Sequence, residues 1–269
     1  MPDPDPSAPV PSKEKPRRRG FALVVALLIF GAIFIVAWRG QGGVNWLLIA
    51  IGLALFIALL GWSITGRILG ILINERNLMS LSRFQLAIWT IIIVSGFFLI
   101  AIGRIKAGSD DPLAIAMDWH LWALLGISTA SLVGSPLILN SKKDQQPARE
   151  AMNKAVMTLK EPEAEINKNR EGLLYSNSEI QYASFADMFQ GDEVQNTGHL
   201  DLAKVQMFIF TVIAATAYSA ALWNLFEQAK GAPGGLEMMP GLSDGIIALL
   251  GISHLGFLSS KGVAHTKTQ

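Results

Sequence analysis

Six apolar runs, at 21–37, 46–64, 84–102, 119–139, 205–226 and 245–258, constrain this chain more than any other feature it has. Crossing ~30 Å of hydrocarbon takes about 20 residues of helix at 1.5 Å per residue. Five of the runs are close to that length, and the sixth reaches it if extended over 242–260, after the helix-entry pair Pro240-Gly241. Inside a bilayer every backbone N–H and C=O must be satisfied within the segment or by a closed barrel, so runs of this kind become helices. Only 16% of the residues are charged, against roughly a quarter in soluble domains, and the mean hydropathy is +0.39. The expected fold is therefore all-α, a polytopic transmembrane helix bundle of about six spans. The fifth run is rich in Ala and Thr and the sixth is short, so five spans with one segment lying in the interface is the alternative.

Charge orients the bundle. Of 22 lysines and arginines, only Arg39, Arg104, Lys106 and Lys230 fall in the loops between spans one and two, three and four, and five and six. The rest lie in the terminal tails and the other loops, which the positive-inside rule assigns to the cytoplasm. The expectation is N-in and C-in, in the plasma (bacterial inner) membrane. Trp38, Trp46, Trp119, Trp122 and Trp223 fall at the outer ends this topology defines, whereas Trp62 and Trp89 do not. The first nineteen residues hold six prolines and a basic run, read as a disordered cytoplasmic tail. The apolar stretch after it offers no small-residue cleavage site and reads as an uncleaved span.

Two hairpins repeat. Leu81, Arg83, Gln85, Ile88, Thr90 and Ile92 align with Leu202, Lys204, Gln206, Ile209, Thr211 and Ile213, and the string Ala-Leu-Leu-Gly-Ile-Ser occurs at 123–128 and again at 248–253. The offsets of 121 and 125 residues belong to one register. Each unit starts inside, crosses and returns, so the copies should be parallel, related by an axis along the membrane normal. The expected organisation is a tail at 1–19, two spans over 20–66 and a first unit at 67–139. A cytoplasmic loop with amphipathic helices at 140–200, a second hairpin at 201–262 and a tail at 263–269 complete it. The segments 68–73 and 182–189 carry apolar residues at helical spacing ahead of polar turns and read as short interfacial helices. The run Ala148 to Lys160 reads as a helix ended by Glu161-Pro162.

The run Ile73-Asn74-Glu75-Arg76-Asn77, followed by Ser80-Leu81-Ser82-Arg83-Phe84-Gln85 and Trp89-Thr90, resembles bacterial multi-spanning membrane proteins without an assigned activity. The resemblance covers roughly residues 67–135 and implies no functional residue.

Polar groups placed inside the hydrocarbon are the candidate sites. Gln85 and Gln206 occupy equivalent positions near the inner ends of spans three and five, as do Ser128 and Ser253 deeper in spans four and six. The amides could line a pore mouth or join helices by hydrogen bonds. A serine in a membrane helix commonly bonds its own i−4 carbonyl. His254 could shuttle protons, or sit neutral and hydrogen-bonded between helices. Arg83 and Lys204 read as anchors whose charged heads reach the interface. Asp118-Trp119-His120, Glu227 and Asp244 read as rim groups with capping chemistry. Gly126, Ala130 and Gly134, like Ala50, Ala54 and Ala58, form small-residue faces that allow close packing within the chain or between copies.

Several chemistries are missing. There is no cysteine, the four histidines have no metal-ligand spacing, and no Walker A run, dinucleotide glycine motif or G-x-S-x-G appears. No carboxylate lies mid-span to couple transport to an ion. Lysines and arginines of the 140–200 segment are interleaved with Glu150, Glu161, Glu163, Glu165 and Glu171, which leaves no basic stripe for nucleic acid. The expected function is a membrane anchor or docking scaffold that holds a cytoplasmic protein partner, without cofactor, metal or enzymatic role. An oligomeric channel or uncoupled small-solute conduit is the alternative, and an intramembrane enzyme ranks last. Expected partners are the lipid bilayer, a cytoplasmic protein and further copies of the chain.

Overall fold

A computed structural model describes residues 15–230 and 235–268, with side chains from Gly20 onward. Six helices are long and apolar enough to cross a membrane, as in a multi-pass membrane protein. They are α1 (Lys15–Arg39), α2 (Gly43–Thr65), α3 (Leu81–Lys106), α4 (Trp119–Asn140), α7 (Leu202–Gln228) and α8 (Asp244–Gly262). Helix α1 begins at Lys15, so the basic run expected in the tail opens the first helix instead. The remainder of that expected tail lies outside the described residues. Between α4 and α7 the chain forms α5 (Arg149–Leu159), α6 (Glu163–Lys168) and a small hairpin of β1 (Arg170–Glu171) with β2 (Leu174–Tyr175).

The helix ends follow from local chemistry. Ser80, Asp118, Asp201 and Ser243 occupy the N-cap positions of α3, α4, α7 and α8, and each accepts a backbone N–H with its side-chain oxygen. Such caps satisfy donors that a helix start leaves open. Pro162 both follows the end of α5 and caps α6. The segments expected as interfacial helices are shorter than that: 3-10 turns at Gly70–Leu72, Ile180–Tyr182 and Phe185–Met188. Side chains that bond the local backbone keep them short. Asn74 Oδ1 accepts the N–H groups of Arg76 and Leu78, and Asp187 with Ser184 closes a reciprocal cap.

Helix α3 is the centre of the bundle, with 56% of its apolar window buried against 17–33% for the other five spans. It packs on α1, α2, α4 and α7, while α4 packs most extensively on α8. The core joins Trp89, Ile92, Leu99 and Ile100 of α3 to Trp46 and Ile49 of α2 and to Tyr218, Leu222 and Phe226 of α7. Trp46, expected at headgroup level, is buried in this core, whereas Trp38, Trp119 and Trp122 are exposed. The buried face of α4 is the row Leu121, Leu124, Ser128, Ser131, Ser135 and Leu139. Gly126 and Ala130 are exposed, so of that small-residue face only Gly134 packs within the chain, against Leu258 of α8.

Residues 140–201 form a cap over one end of the bundle, called the cap end below. The loops joining α1 to α2, α3 to α4 and α7 to α8 make the far end. Met152, Ala155, Ile166 and Val194 give the cap a small core of its own. The chain after α8 completes it, for Pro147 pairs with Thr268 and Ala148 N–H donates to Lys267 O. Gly172 turns between β1 and β2 at φ +63°, where a Cβ would lie 2.1 Å from the Lys143 carbonyl oxygen, so only glycine fits there.

Candidate functional site

The cap meets the bundle through buried charge. Asp192, in the turn between the paired residues Gln190 and Leu200, is surrounded by three cations from three elements. Arg76, from the turn before α3, donates through Nη2 to Asp192 Oδ1 at 2.6 Å and through Nη1 to the Tyr175 and Asp192 carbonyls at 2.9 and 3.1 Å. Lys261, at the end of α8, places Nζ 2.6 Å from Asp192 Oδ2, and Lys204, in the first turn of α7, places its Nζ at 3.0 Å. The Lys204 ammonium also donates to Gln190 O at 2.6 Å. Beside this group lies a second. Lys142, just past α4, donates to Glu193 Oε1 at 2.6 Å and to the carbonyls of Lys261 and Val263 at 2.6 and 2.7 Å, which closes the end of α8. Glu193 Oε2 accepts the His265 and Thr266 N–H groups at 3.0 and 2.5 Å. Every hairpin helix is thus tied to the cap at its cap end.

Arg76, Lys142, Lys204 and Lys261 are all buried, against the buried carboxylates Asp192 and Glu193. Burial alone would push the Asp192 carboxyl up, but Lys204, Lys261 and Arg76 outweigh it and hold the group well below its ordinary value. Asp187, which accepts the Met79 and Ser184 N–H groups at 3.0 and 2.8 Å, goes the other way because burial dominates and pushes it up.

This charged floor opens into a cavity of about 670 Å³. Its floor includes Arg76, Asp192, Lys204 and Lys261, with Arg83 and Lys143 also on the lining, and its walls run along α3 through Leu86 and Thr90 and along α4 through Leu132, Ser135 and Pro136. Pro136 sits inside α4 and has no N–H, so the Leu132 carbonyl loses its helix donor on this wall.

Arg83 and Lys204 line the cavity, whereas Gln85, Gln206, Ser128, Ser253 and His254 do not. Gln85 is buried and donates through Nε2 to Thr211 Oγ1 at 2.5 Å, and Thr211 donates in turn to Met207 O at 2.8 Å. Gln206, its counterpart, is exposed and makes no side-chain hydrogen bond among the described residues. Ser128 and Ser253 are buried with hydroxyls that find no partner among those residues. His254 is buried, with Nδ1 2.6 Å from Ser131 Oγ. Arg83, expected as an interfacial anchor, is partly exposed and paired with Glu75 at 2.5 Å. Lys204 departs from that expectation, being buried and ion-paired. The site residues that are not among the sequence candidates are Arg76, Lys142, Asp192, Glu193 and Lys261. The adjacent acids Asp192 and Glu193, in a turn just ahead of a span, were the available signal.

The far end carries capping chemistry. Asp118 accepts the His120 N–H at 2.9 Å and also meets the His120 ring, whose Nε2 lies 2.6 Å from Asp244 Oδ1. Glu227 accepts the Gly43 N–H at the start of α2 at 2.9 Å and pairs with Lys230 at 2.6 Å. Among the described residues no group of three or more His, Asp or Glu could hold a metal ion. Comparison with protein-family models, with curated proteins and with solved structures finds no match to this chain.

Proposed function

We propose that this protein is an integral membrane anchor whose cap docks a cytoplasmic protein partner. The observation that carries the reading is the buried ion-pair network, which joins the cap to α4, α7, α8 and the turn before α3. A cap fixed in this way presents a defined surface. That surface includes exposed apolar side chains at Met157, Tyr182, Phe185 and Leu200, of the kind that marks protein contacts when grouped. The proposed orientation has both termini and the cap in the cytoplasm of a bacterial inner membrane, on the strength of the lysine and arginine distribution.

The two hairpins, α3–α4 and α7–α8, are proposed to be parallel copies. Their return helices favour this, because residues at nearly constant offset face each other. Ile127 lies against Gly251, Ser131 against His254 and Gly134 against Leu258, and a parallel bridge joins Ala116 to Met238.

Reporter fusions after Lys142 and Thr266 should both report the cytoplasm, and an external signal from either defeats the orientation. Docking is tested by capture of soluble proteins on the detergent-solubilised full chain. The triple variant Met157→Glu, Tyr182→Glu, Phe185→Glu leaves the ion pairs in place and should lose whatever partner the parent retains. A partner retained by the variant would defeat the reading. A channel is favoured by one observation, the unpartnered buried hydroxyls of Ser128, Ser135 and Ser253 between α4 and α8. Liposome flux abolished by Ser128→Leu with Ser253→Leu would replace docking with conduction.

A further inference from the structure

We infer that the cavity at the cap end is a binding site for an anionic phosphate group, and that its shape suits a phosphate carried on an apolar chain. Asp192 has two carboxylate oxygens shared among three buried cations, with Oδ1 taken by Arg76 and Oδ2 by both Lys204 and Lys261. That leaves positive charge in excess. On the rest of the lining Arg83 is paired with Glu75 and Lys143 with Glu171, and Asp187 is the other acid, so the excess lies in the buried Asp192 cluster. Excess buried charge of one sign is costly unless a counter-charge meets it. The cations also converge from the turn before α3, from α7 and from α8 on one open volume of about 670 Å³. Lysine and arginine donors gathered in this way suit phosphate oxygens, which accept several charge-assisted hydrogen bonds at once.

The rest of the cavity argues for what the phosphate is attached to. From the charged floor the lining descends along α3 as far as Thr90 and along α4 as far as Leu132. At 1.5 Å per residue those positions lie roughly 12–13 Å inside the helices. The walls there are Ile57, Leu86, Ala87 and Leu132, with Phe257 near the floor. A charged floor above an apolar shaft matches a lipid phosphate better than a free ion, although both present the same anionic group to the cations.

The test uses the full chain, purified in detergent and stripped of lipid, with thermal unfolding and calorimetric titration as readouts. The probes are short-chain phosphatidic acid, short-chain phosphatidylcholine and inorganic phosphate. Phosphatidic acid should raise the melting temperature and bind saturably, and phosphatidylcholine should do neither. Inorganic phosphate matching phosphatidic acid would keep the site and assign it to a soluble phosphate. Arg76 and Lys261 hold the fold together, so the charge test falls on the lining residues outside the Asp192 cluster. Arg83→Gln with Lys143→Gln should weaken phosphatidic acid about tenfold, the scale of one lost charge-assisted contact. Ala87→Trp, which fills the shaft, should abolish the phosphatidic acid shift. The inference is overturned if neither phosphate probe shifts the melting temperature, or if phosphatidylcholine acts as well as phosphatidic acid. It is equally overturned if Ala87→Trp leaves the phosphatidic acid response unchanged.

Discussion

The two ends of the bundle handle charge in opposite ways. At the far end, Asp118, His120, Asp244, Glu227 and Lys230 sit on helix starts and loop rims, and the Asp244 side chain is 90% exposed. At the cap end the charges are withdrawn from solvent, with the Lys142, Glu193, Lys204 and Lys261 side chains no more than 6% exposed. At the first end water reaches Asp244 and Lys230, so the ion pairs they make contribute little. At the second end each charge depends on its neighbours, and removing one strands the others. The contrast teaches that ion pairs on one protein can be nearly dispensable or structurally decisive, depending on what surrounds them.

The sharpest way to break this comparison is Asp192→Asn. It leaves three buried cations without their carboxylate and should cost about 3–5 kcal/mol, read as a large fall in melting temperature of the solubilised protein. A loss no greater than that of Asp244→Asn would erase the distinction between the ends. The same variant sharpens it through pH. Because the folded-state value of Asp192 is depressed, its contribution is complete above the ordinary carboxylate value of ~3.9 and disappears only as pH falls through the depressed value. The gap in melting temperature between parent and variant should therefore persist down to about pH 5 and close only in stronger acid. A gap already closing near neutrality would contradict the buried ionised carboxylate.

Next in size is Gly172→Ala, which forces a side chain at φ +63° against the Lys143 carbonyl. It should destabilise by more than about 1 kcal/mol, with increased amide exchange in β1 and β2 as the local readout. Smaller again is Gln85→Leu. Inter-helix polar contacts in membranes average about 0.6 kcal/mol and stay below about 2, so a slight loss is expected, while Gln206→Leu, on an exposed position, should leave unfolding unchanged. Equal losses from both would mean that the two amides have the same environment. Asp244→Asn should produce the least effect among the charge variants, a marginal change in melting temperature that salt reduces further.

How much of this was legible in the sequence depends on distance along the chain. The long apolar helices could be read because each is a continuous run, although the sixth reaches spanning length only with its flanking residues, and the cap at Asp118 lies beside the helix it starts. The α5 helix was legible from its spacing and its stop at Pro162. The ion-pair network was not. Its members are single Lys, Arg, Asp and Glu residues, common at any surface, and their pairings span 51 residues for Lys142 with Glu193 and 116 for Arg76 with Asp192. No local pattern encodes such a pair. The alignment of Gln85 with Gln206 was visible, but the burial of one and the exposure of the other were not. Helix α1 packs on α3 whereas α2 packs on both α3 and α7, so α1 helps set the surroundings of one hairpin apart from those of the other.

The network also imposes an order on biosynthesis. Asp192 leaves the ribosome 69 residues ahead of Lys261, the last of its three cations. At ~5–20 residues per second that is a delay of roughly 3 to 14 s. Glu193 likewise waits for the backbone amides of His265 and Thr266, 72 and 73 residues downstream. During that interval Arg76, Lys142 and then Lys204 are available to the cap but Lys261 and the His265 and Thr266 amides are not, so its anchoring stays incomplete until α8 has been synthesised. Closure of the cap is thereby coupled to the arrival of α8. A nascent chain that stalls before Lys261 holds Asp192 with only Arg76 and Lys204 and Glu193 with only Lys142, an incomplete network that the finished protein no longer carries.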